Sequence, residues 1–432
     1  MTGLRSGAGA YYLADLAEEL DAGRARGHGA RPPDRSDGGP GRWSGRGAAG
    51  LGLTGVVGPE DLVAVLEGRH PGTGRPLARQ HGTVAGYDLT FAAPKSVSVL
   101  FALGSPAVAG AVRDAHDDAA AAALGYVAGH SLAARRGSGE ERRLVPVDGP
   151  VAATFAHGVS RALDPHLHTH AVVANLAHGI DGRWTAVDGR GLHAHARAAG
   201  QVYDAHLRRR LHEGLDIEWT PRRSGAYEVA GIDAALLGVF SNRRAEIQAE
   251  LGGRRSSRAR AVAWASTREE KATVRTPSAL RARWRSLAAT VVPDGWSRDL
   301  GHETRRSGAA WRTRSGVELD EHRFAAALWR TPHAGATRRD AVAAWAGALE
   351  RGAVVSDVAR CVDALAGWGA DIGVAERAQP LASLVPGPHL LRALGPRPAE
   401  PDRLATWQGA ASTLEQYRSR WGVAERGEPL GL

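Results

Sequence analysis

The sequence predicts an α+β fold, with antiparallel strands set among long helices and an all-helical C-terminal region. Three observations carry this. Thr83–Ala92 alternates apolar and polar residues as a half-buried strand does. Arg142–Ala156 and Leu167–Leu176 read as two further strands, joined through Asp164-Pro165, and so as antiparallel neighbours. Ala107–Ala128 and Leu192–Leu215 instead carry apolar residues at helical spacing, the second through Leu192, Ala196, Ala199, Tyr203, Leu207 and Leu211.

The remaining elements follow in order. Residues 10–22 read as a helix with Tyr11, Tyr12, Leu16 and Leu20 near one face. Residues 23–50 are rich in Gly, Arg and Pro and read as loop. A short helix is expected over Pro59–Glu67. Another spans Lys95–Ala102, opened by Pro94, whose fixed φ suits a first helical turn. Ile232–Leu251 reads as one helix closed by Gly252-Gly253. The basic, aperiodic stretches 253–260 and 301–316 read as linkers. Thr337 and Asp340 have the spacing of a capping box before Val342, Trp345 and Leu349. Residues 319–425 read as helical, with Pro-rich turns between Pro380 and Pro401.

Composition bounds the function. The 432 residues are 43% hydrophobic, enough for a buried core, and 23% charged. A single cysteine, Cys361, excludes an internal disulfide and thiolate metal cages, and fits a reducing cytoplasm. The first twenty residues lack the charged and apolar regions of a signal peptide, and no apolar run is long enough to span a membrane. The net charge of +9 and a pI near 10.3 favour an acidic partner such as nucleic acid. The only lysines are Lys95 and Lys271; arginine forks phosphate better, and a GC-rich genome would also produce the same bias.

The run Asp164-Pro165-His166-Leu167-His168-Thr169-His170 holds the most chemistry. Alternate residues of a strand share a face, so His168 and His170 can share one ion. His157 stands where the paired strand would supply a third ligand, and three protein ligands leave positions open, as a catalytic metal requires. Such a set suits a divalent ion, with imidazole favouring Zn, Mn or similar. His166 has the same parity but sits in the turn beside Pro165, which favours the other three. The His193/His195 pair shows that the i, i+2 spacing also arises by chance in a chain with 18 histidines. Tyr11 and Tyr12 offer hydroxyls that can attack a phosphodiester and store its energy as a phosphotyrosine ester; a tyrosine pair is otherwise a half-buried helix anchor. Asp88, among apolar residues on a strand, can orient a metal-bound imidazole or accept a tyrosine proton. Lys95, one turn on, is placed to meet a phosphate at a helix N-terminus.

These pieces together resemble the relaxase domain of MobF-type conjugative relaxases, the TrwC/TraI class. The resemblance rests on Tyr11-Tyr12; on Gly41-Arg42-Trp43-Ser44-Gly45-Arg46-Gly47 with Leu51-Gly52-Leu53-Thr54-Gly55; and on Gly86-Tyr87-Asp88-Leu89-Thr90-Phe91-Ala92-Ala93-Pro94-Lys95-Ser96. It continues through Phe155-Ala156-His157-Gly158 and Leu167-His168-Thr169-His170 to Asn175. It implies a palm-like antiparallel sheet flanked by helices, with the His-hydrophobe-His type of site, here with Thr169 in the middle. It also implies metal ligation by His157, His168 and His170, nucleophilic attack by Tyr11, and Asp88 as the acid. The implied activity is nicking of one DNA strand at an origin of transfer, with single-stranded DNA and other transfer-complex proteins as partners. The implied organisation is a relaxase domain over residues 1–295, a linker over 296–318 and a helical region over 319–432.

Three departures stand out. No second tyrosine pair follows the first, which leaves Tyr12 as the local spare. Met1–Ala10 reads as too short and Gly-rich for a full opening strand, implying a truncated start with reduced activity. Neither lysine lies in a Gly-Lys-Ser/Thr loop, so the family's helicase motor is not encoded here. The first two departures motivate a rival, a DNA-binding remnant without catalysis. A second rival is a metal-dependent nuclease that uses water as its nucleophile.

Overall fold

The computed structural model describes residues 1–5, 40–78, 83–137, 143–160, 162–222, 226–252, 277–292, 323–324, 327 and 337–366. The helix expected over residues 10–22 and the linkers at 253–260 and 301–316 lie outside the described residues, as does most of the tail.

Five strands make the central sheet: β1 (Thr2–Arg5), β2 (Arg42–Ser44), β3 (Val84–Ala92), and two later strands at Ala152–Val159 and Pro165–Ala174. Between them come α1 (Arg46–Gly50), α2 (Pro59–Leu66), α3 (Lys95–Leu103), α4 (Pro106–His130) and a small hairpin, β4 (Ala134–Arg136) with β5 (Arg143–Val145). Numbering the two later strands β6 and β7, the order across the sheet is β1-β3-β7-β6-β2, every pair antiparallel. A two-residue hairpin pair, β8 (Ala177–His178) and β9 (Trp184–Thr185), leads into the long helix α5 (Gly189–Leu215). The hairpin β10 (Trp219–Pro221)/β11 (Tyr227–Val229) and helices α6 (Ala234–Val239), α7 (Asn242–Leu251), α8 (Pro277–Ala288), α9 (Arg338–Ala348) and α10 (Val355–Ala366) follow.

Strand alternation sorts the sheet into two faces. Tyr87, Leu89 and Phe91 of β3 with Leu167, Ala171 and Val173 of β7 face the large core built with α3, α4 and α5. The other face carries Leu4, Phe155, Val172 and Ala174. It is covered by the segment from Ala48 to Leu66, whose Leu51, Leu53, Leu62 and Val65 form a second, smaller core. That cover lies over one end of the face. The histidines occupy the positions that continue the same face along β6 and β7.

Several elements differ from the sequence expectation, each for a physical reason. Thr2–Arg5 does form an opening strand. Four residues suffice because β3 supplies the template, with Thr2 opposite Asp88 and Leu4 opposite Gly86. Residues 42–50, expected to be loop, form β2 and α1. Two of their glycines permit close approach: Gly45 has φ 94°, and a Cβ there or at Gly47 would strike the Pro150 carbonyl. The strand expected over Arg142–Ala156 is two strands, β5 and β6, separated by a stretch that contains Pro146 and Pro150. The helix expected over Ile232–Leu251 breaks into α6 and α7 at Phe240-Ser241. Gly252 closes α7 in the left-handed conformation, as expected.

The capping box at Thr337 and Asp340 is present and starts α9. This helix packs along α5, and Val342, Trp345, Val358 and Val362 join the large core. Two buried ionic groups fix the junction. Arg208 of α5 donates to the carbonyls of Ala346 (2.7 Å) and Leu349 (3.0 and 3.2 Å), and its guanidinium lies 4.3 Å from the Tyr227 ring centre. Arg351 pairs with the buried Glu218 carboxylate at 3.2 Å.

Candidate metal centre

The β6–β7 hairpin sets the register of the histidines. Its turn is closed by Ser160 N–H donating to the Asp164 carbonyl and Leu163 N–H to that of Ser160, with Leu163 at φ 59°. The turn is braced from outside. Asn242 donates to the Asp164 carboxylate at 2.8 Å, and the Trp284 indole N–H to the Leu163 carbonyl at 2.7 Å. Pairing from that turn places His157 directly opposite His168, and Phe155 opposite His170. The neighbouring β3 places Thr90 opposite His170 and Asp88 opposite Val172, so Asp88 and Thr90 point to the same face as the imidazoles.

His157, His168 and His170 form a triangle with ring centres 5.2, 5.5 and 5.2 Å apart. Three imidazoles bound through nitrogens at ~2.1 Å to one ion have ring centres about 5 Å apart, so the set fits a divalent cation. Among the described residues no three His, Cys, Asp or Glu side chains are already closed to ligand distance around one point.

Two of the rings are oriented by acceptors. His170 Nδ1 donates to the Asp88 carboxylate at 2.8 and 3.0 Å, and His168 Nδ1 to the His166 carbonyl at 2.8 Å. With the proton held on Nδ1, a neutral imidazole keeps its lone pair on Nε2, the form a metal needs. Burial drives the His168 pKa down to about 4, so it is neutral at physiological pH without any ion. Thr90 Oγ1 stands 3.4 Å from His170 Nδ1, a neighbour that sequence reasoning missed although it shares parity with Asp88.

His166 lies on the same face, its ring stacked 4.5 Å from His168, and burial lowers its pKa to about 3. Lys95 is engaged within the fold. Its Nζ donates to the Pro165 carbonyl at 2.8 Å, and the N-terminus of α3 is already met by the Glu228 carboxylate, which accepts from Ser96 N–H at 2.9 Å. His193 and His195 sit on helix α5, where an i, i+2 spacing separates side chains. His195 is buried against the Tyr126 hydroxyl at 3.1 Å, and His193 lies edge-on to Tyr87. Tyr11 and Tyr12 lie outside the described residues.

Behind the cluster, His116 of α4 is fully buried between the Thr169 and Tyr203 hydroxyls, and burial pushes its pKa down to about 3. The folded state thus holds neutral histidines whose unfolded counterparts gain protons below about 6.5. Their folded pKa values are depressed, so the unfolded chain binds more protons between about 6.5 and 3. Stability is expected to fall as pH drops through that window, by ~1.4 kcal/mol per pH unit for each fully neutral buried group. Urea midpoints at pH 7 and pH 5 test this; an unchanged or higher midpoint at pH 5 would contradict it.

The clustered imidazoles thus stand on a five-stranded antiparallel sheet flanked by helices. The TrwC relaxase family model matches residues 7–291, and the chain belongs to that family. Over 258 residues it is 35% identical to the multifunctional conjugation protein TraI of Escherichia coli; this is 56% of the chain but only 14% of that relative. The conjugative relaxase TrwC, in a metal-bound complex with oriT DNA, superposes with a TM-score of 0.57 at 28% identity, covering 67% of this chain and 97% of that one. A copper-bound TrwC complex gives 0.58 at 30% identity over the same shares. Among the described residues no helix is long and apolar enough to cross a membrane.

Proposed function

We propose that this protein is a site- and strand-specific DNA relaxase that nicks and rejoins single-stranded DNA at an origin of transfer through a 5′-phosphotyrosine intermediate. The observation that carries this is the triangle of His157, His168 and His170 on the sheet face, with Asp88 bonded to the outer nitrogen of His170. Family membership and the oriT complexes of TrwC support it.

In this reading the three histidines would hold a divalent ion through nitrogen. All-imidazole ligation favours Zn over Mn, and Mn over Mg. Such an ion, when bound, would supply positive charge against the scissile phosphate. Asp88 keeps the proton of His170 on Nδ1 and raises the basicity of Nε2. The Tyr11 hydroxyl gives up its proton as its oxygen attacks phosphorus, the P–O3′ bond breaks, and a proton is delivered to the departing 3′ oxygen; the reverse attack by the 3′-OH, with the proton returned to the tyrosine oxygen, reseals the strand and frees Tyr11. Tyr12 is the adjacent spare hydroxyl. The relaxase unit covers residues 1–295, a linker 296–318 and a helical region 319–432, and the protein works in the cytoplasm with other transfer-complex proteins.

Incubation with an origin-containing oligonucleotide and Mn²⁺ is expected to give a covalent adduct that survives SDS, absent in Tyr11→Phe. An adduct of wild-type yield in Tyr11→Phe but not in Tyr12→Phe moves the nucleophile to Tyr12. Free 5′-phosphate ends with turnover and no adduct would replace this reading with a water-using nuclease. DNA binding with neither adduct nor cleavage would leave the non-catalytic remnant.

A further inference from the structure

Thr169 lies between the two histidines of β7 but points the other way, into the large core, and only 4% of it is exposed. Its hydroxyl is 2.8 Å from His116 Nε2, and His116 Nδ1 is 2.7 Å from the Tyr203 hydroxyl. His116 belongs to α4 and Tyr203 to α5. The Tyr203 ring also stacks on Phe91 of β3, with centres 5.7 Å apart. A continuous buried hydrogen-bonded chain therefore runs from the long helix, through the second helix, to the one residue that separates His168 from His170.

We propose that the Tyr203–His116–Thr169 chain is a positioning device for the His168/His170 pair, fixing the strand from behind so that both imidazoles hold their spacing. The inference rests on the metal-dependent reading above. His116 is a positioning residue: it acts through Thr169 and touches neither ligand ring.

The physical case has three parts. First, the two ligand residues share their peptide units with Thr169, so a rotation of the backbone there moves both rings at once. Their Nδ1 atoms are tied to the His166 carbonyl and to Asp88, so the rings cannot compensate freely. A metal site requires its ligands held within about 0.5 Å of the productive geometry. Second, apolar packing of the core face resists separation but has little directionality, whereas two hydrogen bonds in series set distance and angle. Third, the chain is chemically consistent. A neutral imidazole has one N–H and one acceptor nitrogen, and a hydroxyl at each end can meet either tautomer. Three polar groups are thereby satisfied where an unpaired one would be costly.

The test uses Mn²⁺ alone, titrated into the full chain and followed by calorimetry, with urea unfolding of the metal-free protein in parallel. Thr169→Val removes the hydroxyl at nearly constant shape, while Thr169→Ser keeps it. His116→Gln and His116→Asn are the sharper pair. The Gln amide reaches the Nε2 position and can retain the Thr169 bond; the Asn amide mimics Nδ1 and retains only the Tyr203 bond. Thr169→Val and His116→Asn are expected to weaken Mn²⁺ binding about tenfold, the scale of losing a group that orients ligands. Thr169→Ser and His116→Gln are expected to stay near wild type. A purely structural role would move unfolding in both His116 variants alike without separating their Mn²⁺ affinities.

Wild-type affinity in Thr169→Val, or equal weakening in the Gln and Asn variants, overturns the proposal and leaves the metal-dependent reading intact. Should Thr169→Val fail to fold, the His116 pair decides alone. A wild-type chain that does not bind Mn²⁺ overturns both.

Discussion

His170→Ala is expected to abolish Mn²⁺ binding at concentrations that saturate the wild type, and metal-dependent cleavage with it. The variant removes one corner of a triangle whose sides are 5.2–5.5 Å and leaves the Asp88 carboxylate on a half-buried face without the N–H it accepts. Asp88→Asn should fall between this and wild type. Its amide oxygen can still accept from Nδ1, but the negative charge that makes His170 a better base is gone. A 10–100-fold loss of affinity is the ordinary consequence of such a change. Calorimetric titration with Mn²⁺ measures both variants. If His170→Ala binds as tightly as wild type, the ion sits elsewhere.

Arg208→Ala is expected to destabilise the folded protein by about 3 kcal/mol, the scale for hydrogen bonds made by a buried charged group. The guanidinium is 3% exposed, serves the carbonyls of both Ala346 and Leu349, and stacks against Tyr227. Its removal takes this donor away from the Ala346 and Leu349 carbonyls at the end of α9 and opens the seam where Trp345 enters the core. Arg209→Ala, one position along, is the control: that side chain is 43% exposed and pairs with Glu213 on the helix surface, so a change under about 1 kcal/mol is expected. Urea unfolding separates the two. Equal midpoints for both variants would mean that the helices beyond residue 337 are not held by Arg208.

The histidine cluster was legible because strand periodicity is simple. A residue at i and another at i+2 share a face whatever the rest of the fold does, and Asp164-Pro165 marked the turn that aligns His157 with His168. Asp88 was legible for the same reason, since its strand alternates cleanly. The supports were not. His116 approaches Thr169 from a helix more than fifty residues earlier, and nothing in the helical spacing of α4 distinguishes it from a surface histidine. Glu228 reaches the N-terminus of α3 from a hairpin over a hundred residues away, which is why Lys95 looked available for phosphate. The first strand was hidden by its length, because the partner strand rather than local propensity stabilises Thr2–Arg5. β2 was hidden by its glycines, which read as turn signals until the close approach of Pro150 gave them another use. The break between α6 and α7 carries no proline, and its local marks, Gly238 and the N-cap Ser241, are slight. The attachment of α9 to α5 depends on the buried Arg208 and on Arg351, whose sequence context reads as ordinary basic surface.

The central claim is that His157, His168 and His170 bind one ion together. A crystal of the protein soaked in Mn²⁺ and measured at the manganese absorption edge tests it most directly. The expected result is a single strong anomalous peak about 2.0–2.3 Å from one nitrogen of each of the three imidazoles, with Asp88 still on the far side of His170. A peak bound elsewhere, or none on the sheet face while other sites fill, would contradict it.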